Sequence, residues 1–119
     1  MQIAQKNFYK KLLGKAGEKT AEKYLSKNGY TVLETNYRTH LGEIDIIGID
    51  KDCMVFFEVK YRKDEKFGSP LAAITKAKQK KIIGCANYYT AFKKWNGMYR
   101  FDAIGITQDK IEWIKNAFC

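Results

Sequence analysis

Three runs rich in β-branched and aromatic residues lie almost end to end in the first half of the chain: YTVLETNY (30–37), EIDIIGID (43–50) and MVFFEVKY (54–61). Such runs are strands. The links between them are short and carry Gly42 in one case and Asp50-Lys51-Asp52 in the other. Links of that length join antiparallel neighbours, because a parallel pair needs a crossover of about a dozen residues or more. An antiparallel ladder is therefore the feature around which the rest of the chain must be arranged.

Helical patterns flank it. Leu13, Gly17, Ala21, Tyr24 and Leu25 fall on one side at 3.6-residue spacing, and Asn28-Gly29 stops that helix, since glycine tolerates a left-handed end. Residues 1–13 either extend this helix or form a separate arm. Ser69-Pro70 reads as an N-cap followed by proline at the first helical position. From there a second helix is expected to about Lys94, with Leu71, Ile74, Cys85, Tyr89 and Phe92 on one stripe and Asn96-Gly97 as its end. Strands at about 98–107 and 110–115 complete an order αβββαββ, an α/β arrangement of sheet and helices. The 119 residues, 45% of them hydrophobic, suit one domain with a core of its own.

No apolar stretch approaches the roughly 18 residues of a membrane span. The first residues lack the apolar run of a signal peptide, so a cytoplasmic protein with no membrane partner is expected. Cys53, Cys85 and Cys119 show no CxxC spacing and His40 is the single histidine. A disulfide framework, a cysteine zinc site and any centre needing two imidazoles are disfavoured.

The net charge of +9 points to a polyanion, but its distribution says more. Residues 1–28 carry +5, residues 29–59 carry −4, residues 60–81 carry +6 and the remainder +2. An acidic block between two basic ones is not what a plain phosphate glove requires.

Strand periodicity puts Met54, Phe56, Glu58 and Lys60 on one face of the third run, and Val55, Phe57, Val59 and Tyr61 on the other. Glu58 and Lys60 thus stand side by side where a strand leaves the core. Either they form a strand-edge ion pair, or they hold a ligand that offsets their desolvation. In the second run Glu43 and Asp45 share a face, with Ile44 and Ile46 on the other; each acid taken alone reads as a solvated strand start. If the faces coincide, Asp45, Glu58 and Lys60 converge. Paired carboxylates suit a hard divalent cation, and a lysine beside them can orient or deprotonate water. Glu18 lies on the shoulder of the first helix, either solvated or reaching over the sheet edge. Lys78 interrupts the apolar side of the second helix, either snorkelling or meeting a phosphate. Tyr88 and Tyr89 read as packing residues and Arg100 with Asp102 as a structural pair.

Gly17-Glu18, Gly42-Glu43-Ile44-Asp45, Phe57-Glu58-Val59-Lys60 with Arg62, Phe67-Gly68-Ser69-Pro70, Lys78-Gln79 and Arg100-Phe101-Asp102 occur in that order. Together they resemble the YraN-like uncharacterised protein family from Gly14 to Phe118. That family in turn resembles the PD-(D/E)xK nucleases, in particular archaeal Holliday junction resolvases. The resemblance implies a restriction-endonuclease-like αβββαβ core, a central mixed sheet flanked by helices. It implies that Asp45, Glu58 and Lys60 match the catalytic triad and that Glu18 matches the extra helix carboxylate near the metal. Ile44 stands where the motif has proline.

The expectation is then an endonuclease-like protein that depends on Mg²⁺ or Mn²⁺ and acts on DNA, branched DNA included, as a homodimer. Asp45, Glu58 and Glu18 would hold the metal, Lys60 would assist water, and Arg62, Lys63, Lys66, Lys76 and Lys78 would grip phosphates. RNA remains an alternative polyanion. The rival readings are a catalytically silent nucleic-acid-binding protein on the same fold and, more distantly, a basic surface for an acidic protein partner.

Overall fold

The computed structural model describes residues 17–62, 70–107 and 110–119. The stretch 1–13, Lys63, Lys66 and Ser69 lie outside them. The elements run α1 (17–27), β1 (Thr31–Thr39), β2 (Gly42–Asp50), β3 (Cys53–Tyr61), a 3-10 turn (Pro70–Ala73), α2 (Lys76–Lys93), β4 (Met98–Ile106) and β5 (Ile111–Phe118). The strands form one mixed sheet in the order β1-β2-β3-β4-β5. The three hairpin-linked strands and the β4–β5 pair are antiparallel, and β3–β4 is parallel. That parallel pair is possible because α2 supplies the long crossover. The result is an α/β fold in the expected order.

The sheet is buried on both faces. On one side Met54, Phe56, Phe101 and Ala103 pack with Ile82, Cys85, Ala86 and Tyr89 of α2. On the other Val55, Phe57, Ile104 and Ile106 pack with Ala21 and Leu25 of α1. The alternation expected along β3 holds, because each face has its own helix. Side chains of this size contribute roughly 1.5–3 kcal/mol each on full burial, so the two cores jointly hold the sheet rigid between the helices. Helix α1 ends as expected: Gly29 has φ +86°, and Gly29 N and Tyr30 N donate to Ser26 O and Leu25 O at 3.2 and 3.0 Å.

Four local expectations change. Helix α2 begins at Lys76, not after Ser69-Pro70: residues Pro70–Ala73 make a separate 3-10 turn, and Thr75 is the cap, its Oγ1 accepting from Lys78 N at 3.1 Å. The helix ends at about Lys94 as expected, but the left-handed residue that closes it is Lys94 itself, at φ 53°, rather than Asn96-Gly97. Phe92 is 78% exposed, while Ile82 and Ala86 take the buried positions with Cys85 and Tyr89. Finally, Ile44 and Ile46 do not share a face: Ile44 joins the α2-side core and Ile46 the α1-side core. The cause is a departure of β2 from β3. Their pairing runs only from Ile46↔Phe57 to Asp50↔Cys53, and before Ile46 the strand β2 stays with β1 alone.

Among the described residues no helix is long and apolar enough to cross a membrane. The three cysteines are free.

Candidate active site

The opening between β2 and β3 is where the chemistry-bearing side chains meet. Asp45 sits at the point of departure, and its Oδ2 accepts from Val59 N at 2.8 Å, a side chain standing in for the missing rung of the ladder. This bond fixes the carboxylate of β2 against the end of β3. At the start of the described part of α1, Gly17 lets the helix approach: an added Cβ there would stand 3.2 Å from Tyr61 Cβ. Glu18, the next residue, is thereby brought over the sheet edge, half-buried.

Opposite Asp45, between the pairs Thr35↔Ile46 and Tyr37↔Ile44, strand β1 kinks at Asn36, which has φ 53°. With its nitrogen turned toward two carboxylates, the Asn36 amide donates to Glu43 Oε1 at 2.9 Å and to Glu18 Oε2 at 3.1 Å. Glu18, Glu43 and Asp45 each offer an oxygen, and these all lie within 4.8 Å of one another. Arg38 Nε reaches Glu43 Oε2 from the exposed side at 3.2 Å.

Glu58 is 4% exposed, on the α2 side of β3. Its Oε1 receives Lys78 Nζ at 2.6 Å and Lys60 Nζ at 3.5 Å. A cleft of about 380 Å³ is lined by Glu43, Asp45 and Glu58 on the sheet side and by Thr75, Lys78 and Lys81 from the start of α2.

The electrostatics record how crowded this is. Burial pushes the Asp45 carboxyl up to about 7, the Glu58 charge adds to the rise, and Glu18 acts in the same sense. The Val59 N–H and the Lys78 charge oppose it. Glu18 is also raised, first by burial and then by Glu43, Glu22 and Glu58, against the stabilising Asn36 bond. Lys60 is lowered by burial and by Lys78, with Glu58 and Asp45 pulling the other way. Burial would lower Lys78 too, but Glu58 and Lys60 outweigh it and hold the ammonium above its usual range. Of the two lysines, Lys60 is the one made easier to deprotonate.

The donor set fits a hard divalent cation. It is all oxygen, it is over-supplied with carboxyl groups, and the raised Asp45 and Glu18 are what carboxyls show when no strong positive charge offsets their burial and mutual repulsion. Glu18 and Asp45 come together as the sequence suggested, and Glu43 joins them. Glu58 stands near enough for its charge to act on both, but is held by lysines. Lys78, expected on a phosphate, is placed on Glu58. Lys76 is exposed in the first turn of α2. Arg62 follows β3, its N donating to Ile106 O at 2.7 Å.

Glu43 and Asn36 are the two contributors that the sequence did not single out for a site. Glu43 had a signal, its place two residues before Asp45 on one strand face. Asn36 had none, because its role depends on a left-handed kink in a different strand.

Away from the cleft, Arg100 and Asp102 do form a structural pair, with Arg100 Nε 3.0 Å from Asp102 Oδ1. Tyr89 is buried, and Tyr88, 49% exposed, stands edge-on to the His40 ring.

Comparison with known proteins agrees with the motif order. The model of the uncharacterised protein family UPF0102 matches residues 17–106, the span from α1 through β4 that holds every residue of the cleft. A UPF0102 protein of Thermodesulfovibrio yellowstonii is 48% identical over 106 residues, covering 89% of this chain and 95% of the relative. A UPF0102 protein of Clostridium tetani is 44% identical over 119 residues, covering 94% and 98%. One from Colwellia psychrerythraea is 41% identical over 112 residues, covering 88% and 87%. With the family model matched across most of the chain and relatives this similar over nearly their full length, the chain belongs to the uncharacterised protein family UPF0102.

Proposed function

We propose that the chain is a divalent-cation-dependent nuclease-type hydrolase of the PD-(D/E)xK kind, acting on phosphodiester bonds in cytoplasmic DNA, with four-way and other branched DNA among its substrates. The observation that carries this is the convergence of Glu18, Glu43 and Asp45 near the Glu58–Lys60 pair, at a cleft that Glu43, Asp45 and Glu58 line together with the N-terminal turn of α2. Glu18, Glu43, Asp45 and Glu58 would hold Mg²⁺ or Mn²⁺. When bound, such an ion supplies charge stabilisation at a phosphate oxygen and acidifies water.

The remaining work belongs to the chain itself. Asp45, tied to Val59 N, keeps the carboxyl groups at a fixed distance from β3. Lys60, lowered by burial and by Lys78, is placed to accept or relay a proton from the attacking water at its Nζ. Arg62, Lys76 and Lys78 supply positive charge to the strand on either side of the cut, and the basic excess of the chain attracts the polyanion at long range. Cutting both strands of a duplex arm calls for two copies of the chain.

The test is a cleavage panel on linear, single-stranded and four-way DNA with Mg²⁺, Mn²⁺ or chelator. Cleavage with either metal, none with chelator, and a loss of at least about a hundredfold in Glu58→Ala are expected. A Glu58→Ala protein cutting at the parent rate overturns the assignment. The Lys78–Glu58 contact favours one other reading, a nucleic-acid-binding protein whose cleft is closed by its own lysine. Salt-sensitive DNA binding with no metal-dependent cleavage on any substrate would establish that reading instead.

A further inference from the structure

Positive charge is distributed unevenly across the cleft. Two ammonium groups converge on one oxygen of Glu58, at 2.6 and 3.5 Å. Beside it on the sheet side, the carboxyl groups of Glu18, Glu43 and Asp45 have as their partners among the described residues the Asn36 amide, the Val59 N–H and an exposed Arg38. The two lysines on Glu58 are also differently tethered. Lys60 rises from the same strand two residues on, so its backbone cannot move relative to Glu58. Lys78 crosses from the other wall on a four-carbon stem, and its side chain is 38% exposed.

A divalent cation entering among Glu18, Glu43 and Asp45 repels both ammonium groups and competes for the Glu58 oxygen. Lys78, the more exposed of the two and the one carried on a separate element, is the one free to leave. Its destination is suggested by its own helix. The first turn of α2 has no acidic residue and instead carries Lys76 and Lys78, against the preference of a helix N-terminus for negative charge. That turn lines the same cleft through Thr75 and Lys78. An anion there is attracted by the helix dipole and by a released ammonium together.

We infer that Lys78 is a two-position cation: it neutralises Glu58 in the resting protein and, when a divalent cation takes that carboxylate, moves to a phosphate of the bound strand. Binding of the cation thereby assembles the phosphate grip, and DNA held without the cation is held without Lys78. This rests on the reading of the cleft as a cation site.

Two measurements test it. Calorimetric titration with Mn²⁺ in the absence of DNA compares the parent with Lys78→Met, Lys78→Arg and, as a control for charge alone, Lys80→Met on the exposed side of α2. Removing a charged competitor is expected to tighten Mn²⁺ binding about tenfold or more in Lys78→Met, and much less in the other two. Circular dichroism and the baseline melting temperature check folding, and Lys78→Gln gives the same comparison if the Met variant does not fold. Unchanged or weaker Mn²⁺ binding in the folded variant overturns the inference and leaves the cation site standing. No Mn²⁺ binding to parent or variant overturns both.

The second measurement is the salt dependence of DNA binding, with non-cleaving Ca²⁺ or with chelator. Lys78→Met is expected to lower the log–log slope by about 0.9, one phosphate contact, when Ca²⁺ is present and to leave it unchanged in chelator. Equal slopes for parent and variant in Ca²⁺, or an equal difference in both conditions, overturn the movement of Lys78.

Discussion

Glu58 on β3 and Asp102 on β4 are both buried carboxylates paired with cations, and they lie on opposite faces of neighbouring strands. Asp102, fully buried, accepts from Arg100 Nε at 3.0 and 3.3 Å, from Arg100 Nη2 at 3.2 Å, from Trp113 Nε1 at 2.9 Å and from Asn116 N at 2.9 Å. Arg100 in turn donates to Tyr30 OH at 2.6 Å. Burial would lower the guanidinium, but Asp102 and Tyr30 outweigh it and raise it further. Both Asp102 oxygens and all three guanidinium nitrogens are engaged, Arg100 Nη1 on Cys53 Sγ at 3.7 Å, and the group ties β4 to β5 and to Tyr30 beyond the end of α1. The Glu58 group has the opposite character. Its lysines stand on rotatable four-carbon stems, its neighbouring carboxyls repel one another, and Asp45 has a single hydrogen-bond donor, the Val59 N–H, among the described residues. Charges arranged to satisfy each other hold a fold together. Charges left in conflict in a cleft mark a candidate ligand site.

The sharpest way to break this contrast is Asp102→Ala. It leaves Arg100 without its carboxylate and removes the acceptor of Trp113 Nε1 and Asn116 N. Breaking a buried pair of this kind costs about 3–5 kcal/mol, read as a lower urea midpoint at unchanged slope. A loss below about 1 kcal/mol would show that the Arg100–Asp102 group is no more structural than the cleft.

Asp45→Asn should act in the other direction. The carboxyl has a usual value near 3.8 and is pushed up to about 7 in the fold by burial and the Glu58 charge. Below about 4 it is protonated in both folded and unfolded chains and favours neither. As pH rises toward 7 the unfolded chain ionises and the folded one resists, so stability falls across that window and levels off above it. Asparagine can still accept from Val59 N and does not titrate. At pH 8 the variant is therefore expected to be more stable than the parent by a few kcal/mol, at about 1.4 kcal/mol per pKa unit, with the gap closing toward pH 4. Mn²⁺ should raise the parent's melting temperature at pH 8, progressively less as pH falls through 7, and hardly at all in Asp45→Asn. A variant less stable than the parent at pH 8 would remove the conflict from the comparison.

How far the sequence foretold these two groups follows from how local each is. Arg100 and Asp102 are two residues apart on one strand, so period-2 alternation alone brings them together. Glu58 and Lys60 were legible for the same reason, and because β3 keeps strict alternation between two helix-covered faces. Asp45 was legible as a residue but not in its geometry: the slip between Ile44 and Ile46 arises where β2 leaves β3, which no periodicity along β2 encodes. The start of α2 was misplaced because Ser69-Pro70 and Thr75 are both competent caps, and only packing of the 3-10 turn selects Thr75. Lys78 was visible as a lysine on an apolar side, but its contact with Glu58 depends on that later start and on a strand twenty residues away.

The smallest effect tests the part of the cleft the sequence did not foretell. Glu43→Gln keeps the shape of the side chain and removes one charge. Its exposed contact with Arg38 is worth little, so global stability should move by less than about 1 kcal/mol. Glu18 should respond all the same. Burial is the main cause of its raised value, the Asn36 bond opposes it, and the Glu43 charge adds to the rise. Removing that charge lets Glu18 ionise at lower pH, which a carboxyl-carbon NMR titration reads directly, and weakens Mn²⁺ binding severalfold by taking away one anionic oxygen. A Glu18 titration that does not move would mean the three carboxyls are near one another without acting on one another. In that case the cleft conflict reduces to Asp45 and Glu58, and the cation site is carried by those two alone.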